Sequence, residues 1–378
     1  MGMRVAVVSE SFLPTLNGVT TSVVKVLEHL EANGHEAIVI VPAAGSPRRY
    51  AGFPVHEVAA VAYRQFPVGL PNTQVSAMLA DFSPDVMHVA SPFLLGAQSI
   101  AAANRLGIPS VAIYQTDISG YARRNRLAVA STFAWRVVRW IHEGADLTLA
   151  PSSTAIAALQ AAGVPRLEMW GRGVDIETYH PRRRASPEAQ ELRARLAPDG
   201  EVLLGYVGRV APEKSLDRLG ELHGIPGIRI AIVGDGPARP GLERSLAGLP
   251  ITFLGALGGE RLANAYASFD AFVHTGTEET FGQTLQEAHA SGLPIVSPRA
   301  GGPIDLVDSG VDGFLYDPAE DGALREAVLA LVRRRDLRER MGEAGRRRVL
   351  GRTWAALCDD LLERYRSVIA HRALELAR

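Results

Sequence analysis

A chain of 378 residues is longer than one hydrophobic core usually organises and suits two domains of ordinary size. With 47% hydrophobic and 21% charged residues and a formal net charge of −1, it lacks the basic excess of phosphate-backbone binders, so nucleic acid is not an expected partner. The single cysteine, Cys358, excludes an intrachain disulfide and fits a reducing compartment.

From the N-terminus, MGMRVAVVSES is too short and too polar for a signal peptide, and no apolar stretch approaches the ~20 residues that cross a bilayer. The expected place is the cytosol, either free or peripheral on the inner face of the cell membrane. VAVVS, AIVIV, VMHVA, SVAIY and LTLAP read as strands in the first half; LLGYVG, IRIAIVG, ITFLG, AFVHT and PIVSP follow in the second. Near-continuous apolar strands alternating with helical patterns predict parallel sheets covered on both faces, hence two doubly wound α/β domains facing each other.

After the first strand, Pro14 and Asn17-Gly18 form a turn, and a helix starts near Val19 or Thr20. Gly18 at its head lets backbone N–H groups approach an anion, unless the segment is a plain strand–helix turn. It is not a GxGxxG fingerprint, which argues against a dinucleotide-dependent dehydrogenase. Farther on, RQFPVGLPN (Arg64 to Asn72) reads as a loop whose Phe66, Val68 and Leu70 could dip into lipid. The stretch YARRNRLAVASTFAWRVVRWIHE carries Arg123, Arg124, Arg126, Arg136 and Arg139 with Phe133, Trp135 and Trp140. Such a basic amphipathic segment suits an anionic membrane or head group, or else packs its aromatics in the core beneath solvated arginines.

A polar connector with Pro181, three arginines and Pro187 follows RGVD, so the domains are placed at 1–176 and 177–354. In GYVGRVAPEKSLDRL, Arg209 and Lys214 stand five apart on a loop after a strand; guanidinium and ammonium suit a diphosphate, while Glu213 could pair with either. GDGP (Gly234 to Pro237) reads as a tight turn at the carboxyl end of the sheet. The strongest signal is HTGTEETFGQTLQEAHASGLPIV. Its helix begins around Phe281 or Gly282, the amides of Thr280, Phe281, Gly282 and Gln283 form an anion or hydroxyl cradle, Glu279 precedes it, and Glu287 stands on a segment that otherwise wants burial. The AGG loop at Gly301-Gly302 says little by itself. WAALCDDLLERYRSVIAHRALEL is a terminal helix that packs on its own domain or on the first one.

Glu279 and Glu287 with seven residues between them and Phe281-Gly282 inside resemble the signature of family 4 of the retaining glycosyltransferases, which have the GT-B fold of two Rossmann-like domains facing across a cleft. GRVAPEK, GDGP, AGG and GVD stand in the order that family shows. YQTDISGYA, LAPSS, WGRGVD and QEAHASGLPIVSPRAGGP resemble actinobacterial GDP-mannose-dependent α-mannosyltransferases acting on lipid acceptors. The resemblance implies that Arg209 and Lys214 hold the donor diphosphate and stabilise its developing charge. It implies that Glu287 binds the ribose, that Glu279 and the amides of Phe281, Gly282 and Gln283 fix the hexose, and that Gly18 presents its N–H to the phosphate. The base would lie by Gly255, Ala256 and Leu257, and the C-terminal helix, 355–378, would cross back to the first, acceptor-binding domain. Relatives carry a His after the fourth strand of the first domain; here Gln115 stands there, with Asp117 two residues on, and Gln accepts or donates a hydrogen bond without moving protons. Together with Arg123 and Arg124 they are the acceptor-side candidates.

The expected reaction is retaining transfer of a hexose, mannose from GDP-mannose, onto a glycolipid or lipid-linked acceptor by front-face attack, with no metal and no cofactor beyond the donor substrate. Domain closure over the donor would keep water out. The rivals are the same fold using UDP-glucose or UDP-N-acetylglucosamine with a soluble acceptor, and a non-catalytic nucleotide-sugar-binding protein. The set Arg209, Lys214, Glu279 and Glu287 speaks against the latter.

Overall fold

The computed structural model describes the backbone of residues 2–63, 66–69, 73–115 and 128–376, and side chains over 2–60, 73–115 and 132–375. The chain divides into two compact units, Met1–Arg172 with Ala355–Arg378, and Gly173–Trp354. The first crossing lies inside the RGVD stretch, between Arg172 and Gly173, four residues ahead of the boundary expected after residue 176.

The first unit is built on β1 (Arg4–Ser9), β2 (Glu36–Pro42), β3 (Arg49–Tyr50), β4 (Phe53–Val58), β5 (Ala60–Tyr63), β6 (Phe66–Gly69), β7 (Val86–Ala90), β8 (Ser110–Ile113), β9 (Leu147–Ala150) and β10 (Leu167–Met169). Eight of these form one sheet in the order β10-β9-β8-β7-β1-β2-β4-β3, parallel except at the β3–β4 edge. The central strands are buried on both faces, and for that reason VAVVS and VMHVA carry no polar alternation. β5 and β6 pair antiparallel, Tyr63 opposite Phe66 and Ala60 opposite Gly69. Phe66 and Val68 therefore lie in a hairpin strand and not in the open loop expected from Arg64 to Asn72; Leu70 lies outside the described residues. Two β-rich runs separated by two residues close more readily as a hairpin than they stay apart.

The terminal helix Trp354–Leu376 belongs to the first unit from Ala355 onward. Its Cys358, Leu361, Leu362, Tyr365 and Val368 join Val5, Val7, Leu27 and Val39 in one core cluster. Trp170 Nε1 donates to Leu357 O at 2.9 Å, and the Tyr365 hydroxyl lies 2.6 Å from His88 Nδ1 inside that core.

The second unit contains β11 (Val202–Val207), β12 (Ile228–Val233), β13 (Ile251–Gly255), β14 (Ala271–Val273), β15 (Ile295–Pro298) and β16 (Gly313–Tyr316), all parallel in the order β13-β12-β11-β14-β15-β16. After β11 the chain winds outward one way through β12 and β13, then returns beside β11 and winds the other way. The two strands on which it reverses, β11 and β14, pair through Leu204↔Ala271 and Gly205↔Phe272. Both chain crossings leave this unit at one place, where Val174 N donates to Arg352 O at 2.9 Å and Val174 bridges Thr353.

Candidate functional site

In an open parallel sheet, loops leaving the carboxyl ends of the two strands at the reversal diverge and open a crevice for ligands. In the second unit those loops are Gly208–Lys214 after β11 and His274–Gly282 after β14. A hydrogen bond ties them together, Thr275 Oγ1 donating to Lys214 O at 2.7 Å. Across the tie, Lys214 Nζ lies 2.7 Å from Glu279 Oε2, and both side chains are largely covered. Burial pushes the Glu279 carboxyl pKa upward, but the Lys214 ammonium and the Phe281 amide outweigh it and hold the group below the ordinary carboxylate range. Glu279 is thus an oriented carboxylate with a cation beside it.

Its backbone is clamped as well. Gly302 N donates to Glu279 O at 2.7 Å, and a Cβ on Gly301 would stand 2.3 Å from that same oxygen. Only glycine lets the AGG loop come this close. A motif uninformative in the sequence proves to be the buttress of the carboxylate loop.

The helix after the loop runs Gln283–Ala290, starting one or two residues later than expected, with Gly282 as its cap. The Phe281 ring is buried in the core with Leu285 and Leu306, and its amide serves the Glu279 carboxylate, which takes it out of the free cradle expected at residues 280–283. Gln283 Nε2 donates to Gly173 O at 3.1 Å. One turn on, Glu287 is half-buried and accepts the Tyr266 hydroxyl at 2.9 Å on Oε2. Burial raises its pKa to about 7, against the lowering effects of Tyr266 and Gln283. Tyr179 packs edge-on to Tyr266 with ring centroids 5.4 Å apart, giving Glu287 an aromatic wall. This is a carboxylate kept where folding alone would not put one.

Arg209 and Lys214 do not share a partner. Arg209 is 66% exposed and faces Glu213 at 3.7 Å, whereas Lys214 is committed to Glu279. In place of one shared partner there is one engaged lysine and one solvent-facing arginine, because Glu213, four residues on in the same loop, lies beside Arg209. The GDGP loop supports the arginine's segment, Val210 N donating to Asp235 O at 3.0 Å, and Asp235 caps Gly236 N within its own turn. Gly255 ends β13 and Ala256 and Leu257 follow it; Ala256 is exposed, and Leu257 packs on the core, as do Leu254 and Leu262.

In the first unit, the helix Gly18–Ala32 starts one or two residues earlier than expected. Asn17 Oδ1 caps it, accepting from Val19 N at 2.9 Å and Thr20 N at 3.0 Å, so Asn17 does more than shape a turn. The Gly18 N–H takes no part in that cap. Above it sits the Arg172 guanidinium, close enough that a Cβ on Gly18 would fall 2.4 Å from Nη1. Arg172 Nη2 also donates to Gln115 Oε1 at 3.4 Å, and Gln115 is buried at the end of β8. Gly18, Gln115 and Arg172 therefore form one group; Asp117, Arg123 and Arg124 lie outside the described residues. Replacing Gly18 by Ala is expected to leave the melting temperature nearly unchanged, since the backbone is ordinary there and an arginine tip can yield. A large loss of stability on thermal melting would contradict that yielding contact.

Two family models cover this framework, Glycosyltransferase Family 4 over residues 16–178 and Glycosyl transferases group 1 over residues 188–348. The chain is 45% identical to a GDP-mannose-dependent alpha-mannosyltransferase of Mycobacterium tuberculosis, over 100% of both proteins. The chain belongs to glycosyltransferase family 4. A second relative from that species, a GDP-mannose-dependent alpha-(1-6)-phosphatidylinositol dimannoside mannosyltransferase, is 29% identical over 95% of each protein. Among solved structures, the Anabaena protein Alr3699/HepE in complex with UDP superposes with a TM-score of 0.80 at 19% identity, covering 97% of this chain and 100% of its own. The fold of this glycosyltransferase is accordingly GT-B.

Three residues in these two separate groupings, one in the first unit and two in the second, escape sequence reasoning. Arg172 sits in WGRGVD, but its contacts are with Gly18 and Gln115, far away in the chain. Tyr266 lies inside a helix, Gly259–Ser268, where an aromatic reads as core. His274 directly follows the apolar strand Ala271–Val273, and that lone polar residue at its end was the available signal.

Proposed function

We propose that this family-4 glycosyltransferase moves mannose from GDP-mannose onto a glycolipid acceptor with retention of the α-configuration and without a metal. The observation that carries the reading is the Lys214–Glu279 pair at the reversal of the second sheet, followed by Glu287 in its tyrosine-walled niche. Glu287 accepts the ribose hydroxyls and Glu279 those of the hexose. Lys214, with Arg209 swinging in from solvent, neutralises the charge that grows on the diphosphate as the C1–O bond breaks. The acceptor oxygen bonds to C1 on the face the phosphate leaves, and its proton passes to the departing phosphate oxygen. The cations do the work a divalent ion would otherwise do.

GDP-mannose is favoured over UDP-glucose by the full-length relative named for it. A lipid acceptor is favoured by the relative whose name carries phosphatidylinositol. It is favoured also by the helix Ala128–Glu143, where Trp135 packs on the Tyr114–Leu159 cluster while Phe133 and Trp140 stand 67% and 66% exposed among Arg136 and Arg139. No helix of the described residues is long and apolar enough to cross a membrane.

Purified protein offered GDP-mannose, UDP-glucose and UDP-N-acetylglucosamine, with and without extracted lipid, should release nucleotide from GDP-mannose in the presence of lipid, and equally with EDTA. Release from a UDP-sugar alone would move the reading to its UDP-dependent alternative; release from none would leave a binding protein. Flotation with anionic vesicles should weaken when Phe133 and Trp140 are both changed to Ser, and an unchanged float would remove the membrane from the account.

A further inference from the structure

His274 opens the carboxylate loop and is 1% exposed. Its imidazole lies nearly parallel to the Tyr206 ring, centroids 6.4 Å apart and planes 11° apart, and Tyr206 is pinned by its hydroxyl to Arg209 O at 3.2 Å. On the other side Gly276 leaves no spare room, since a Cβ there would come within 3.4 Å of Nε2 and 3.2 Å of the Lys214 Cα. In this slot neither ring nitrogen has a partner at full hydrogen-bond geometry, the Gly276 backbone beside it making only a marginal contact. Buried polar atoms without full partners cost stability, so a fold that keeps one beside a functional carboxylate points to a state in which the partner arrives. The nearest charged atom is Glu279 Oε2, 4.0 Å from Nε2 and about an ångström beyond hydrogen-bonding reach. That oxygen is the one Lys214 occupies at 2.7 Å.

We infer that His274 is a positioning residue that takes over Glu279 Oε2 when Lys214 turns to the donor diphosphate. The inference rests on the donor-site reading above. Lys214 cannot serve the diphosphate at full strength while it remains bound to Glu279, and Glu279 released without a replacement would be a partly buried carboxylate free to rotate off the hexose. A neutral imidazole solves both difficulties. It donates Nε2–H to Oε2, adds no positive charge to compete with Lys214 for the phosphate, and its ring is held between Tyr206 and Gly276. No proton is transferred.

The test compares His274→Gln, which sets an amide N–H near the place of Nε2, with His274→Phe, which keeps the ring against Tyr206 and has no donor. Gln should retain kcat within about threefold, and Phe should lose about 10- to 100-fold in kcat with donor KM nearly unchanged, the worth of one hydrogen bond to a charged group. Equal losses in both would make His274 a packing residue only, and a loss confined to KM would make it a direct donor contact; either result overturns the inference. A second arm needs no turnover. In Lys214→Met, with Glu279 freed, the His274 Nε2–H resonance in ¹⁵N-histidine NMR should move downfield and exchange slowly, and Lys214→Met/Glu279→Gln should abolish that shift. An unmoved resonance in Lys214→Met refutes the takeover even if the donor assignment stands, whereas a moved resonance in a protein that turns over no donor sustains it and refutes the donor reading.

Discussion

Glu279→Gln is expected to lower kcat about 100- to 1,000-fold with far less effect on nucleotide affinity, the scale seen when one oriented electrostatic contact to a transition state is removed. The amide keeps the size of the side chain and can still accept from a hydroxyl, so folding should survive. What disappears is the charge that holds Lys214, now a largely covered ammonium facing a neutral group. The hexose loses its fixed acceptor at the same moment. Single-turnover measurements with GDP-mannose separate binding from chemistry: a defect confined to nucleotide affinity would contradict the assignment of Glu279 to the sugar.

Glu287→Gln is expected to do the reverse, weakening nucleotide binding while stabilising the protein in alkali. The pKa of Glu287 is raised from its ordinary 4.5 to about 7, so the native state binds the extra proton across that interval and stability falls as pH rises through it. Above pH 7 the ionised carboxylate destabilises the fold by on the order of 2 kcal/mol, less than the whole shift because the residue keeps some exposed surface. Glutamine removes that cost at pH 8 and changes little near pH 4, which paired thermal melts will show. Ribose hydroxyls are best accepted by the ionised form, so wild-type GDP affinity should fall about tenfold from pH 8 to pH 6. Calorimetric titrations of the Gln variant should lose that slope; if the slope persists, another group sets it.

The frame was legible because its central strands are buried on both faces and so write themselves as unbroken apolar runs. The strands that sequence reasoning passed over lie at or near sheet edges. FPVHEV carries Pro54, His56 and Glu57 on partly exposed positions, LEM is exposed along most of its length, and GFLY is a short edge strand beside a turn. The two glutamates announced themselves through motif spacing and helix-start chemistry. Their partners did not. That Lys214 pairs with Glu279 while Arg209 faces Glu213 depends on how two loops fold over the ends of β11 and β14, and spacing along the chain carries no trace of it. The same holds for Arg172 over Gly18 and for the buried imidazole of His274, each defined by neighbours distant in sequence.

The first unit's core is closed by Leu361, Leu362, Tyr365 and Val368, which the ribosome adds only after the whole second unit. During synthesis the first 172 residues emerge with a strip of their core uncovered and stay so while the whole second unit is made. A nonsense mutation that removes only the final helix would therefore spare the second unit and unfold the half translated first. The reading frame itself becomes the inspector: the first domain is finished only after the second has been made.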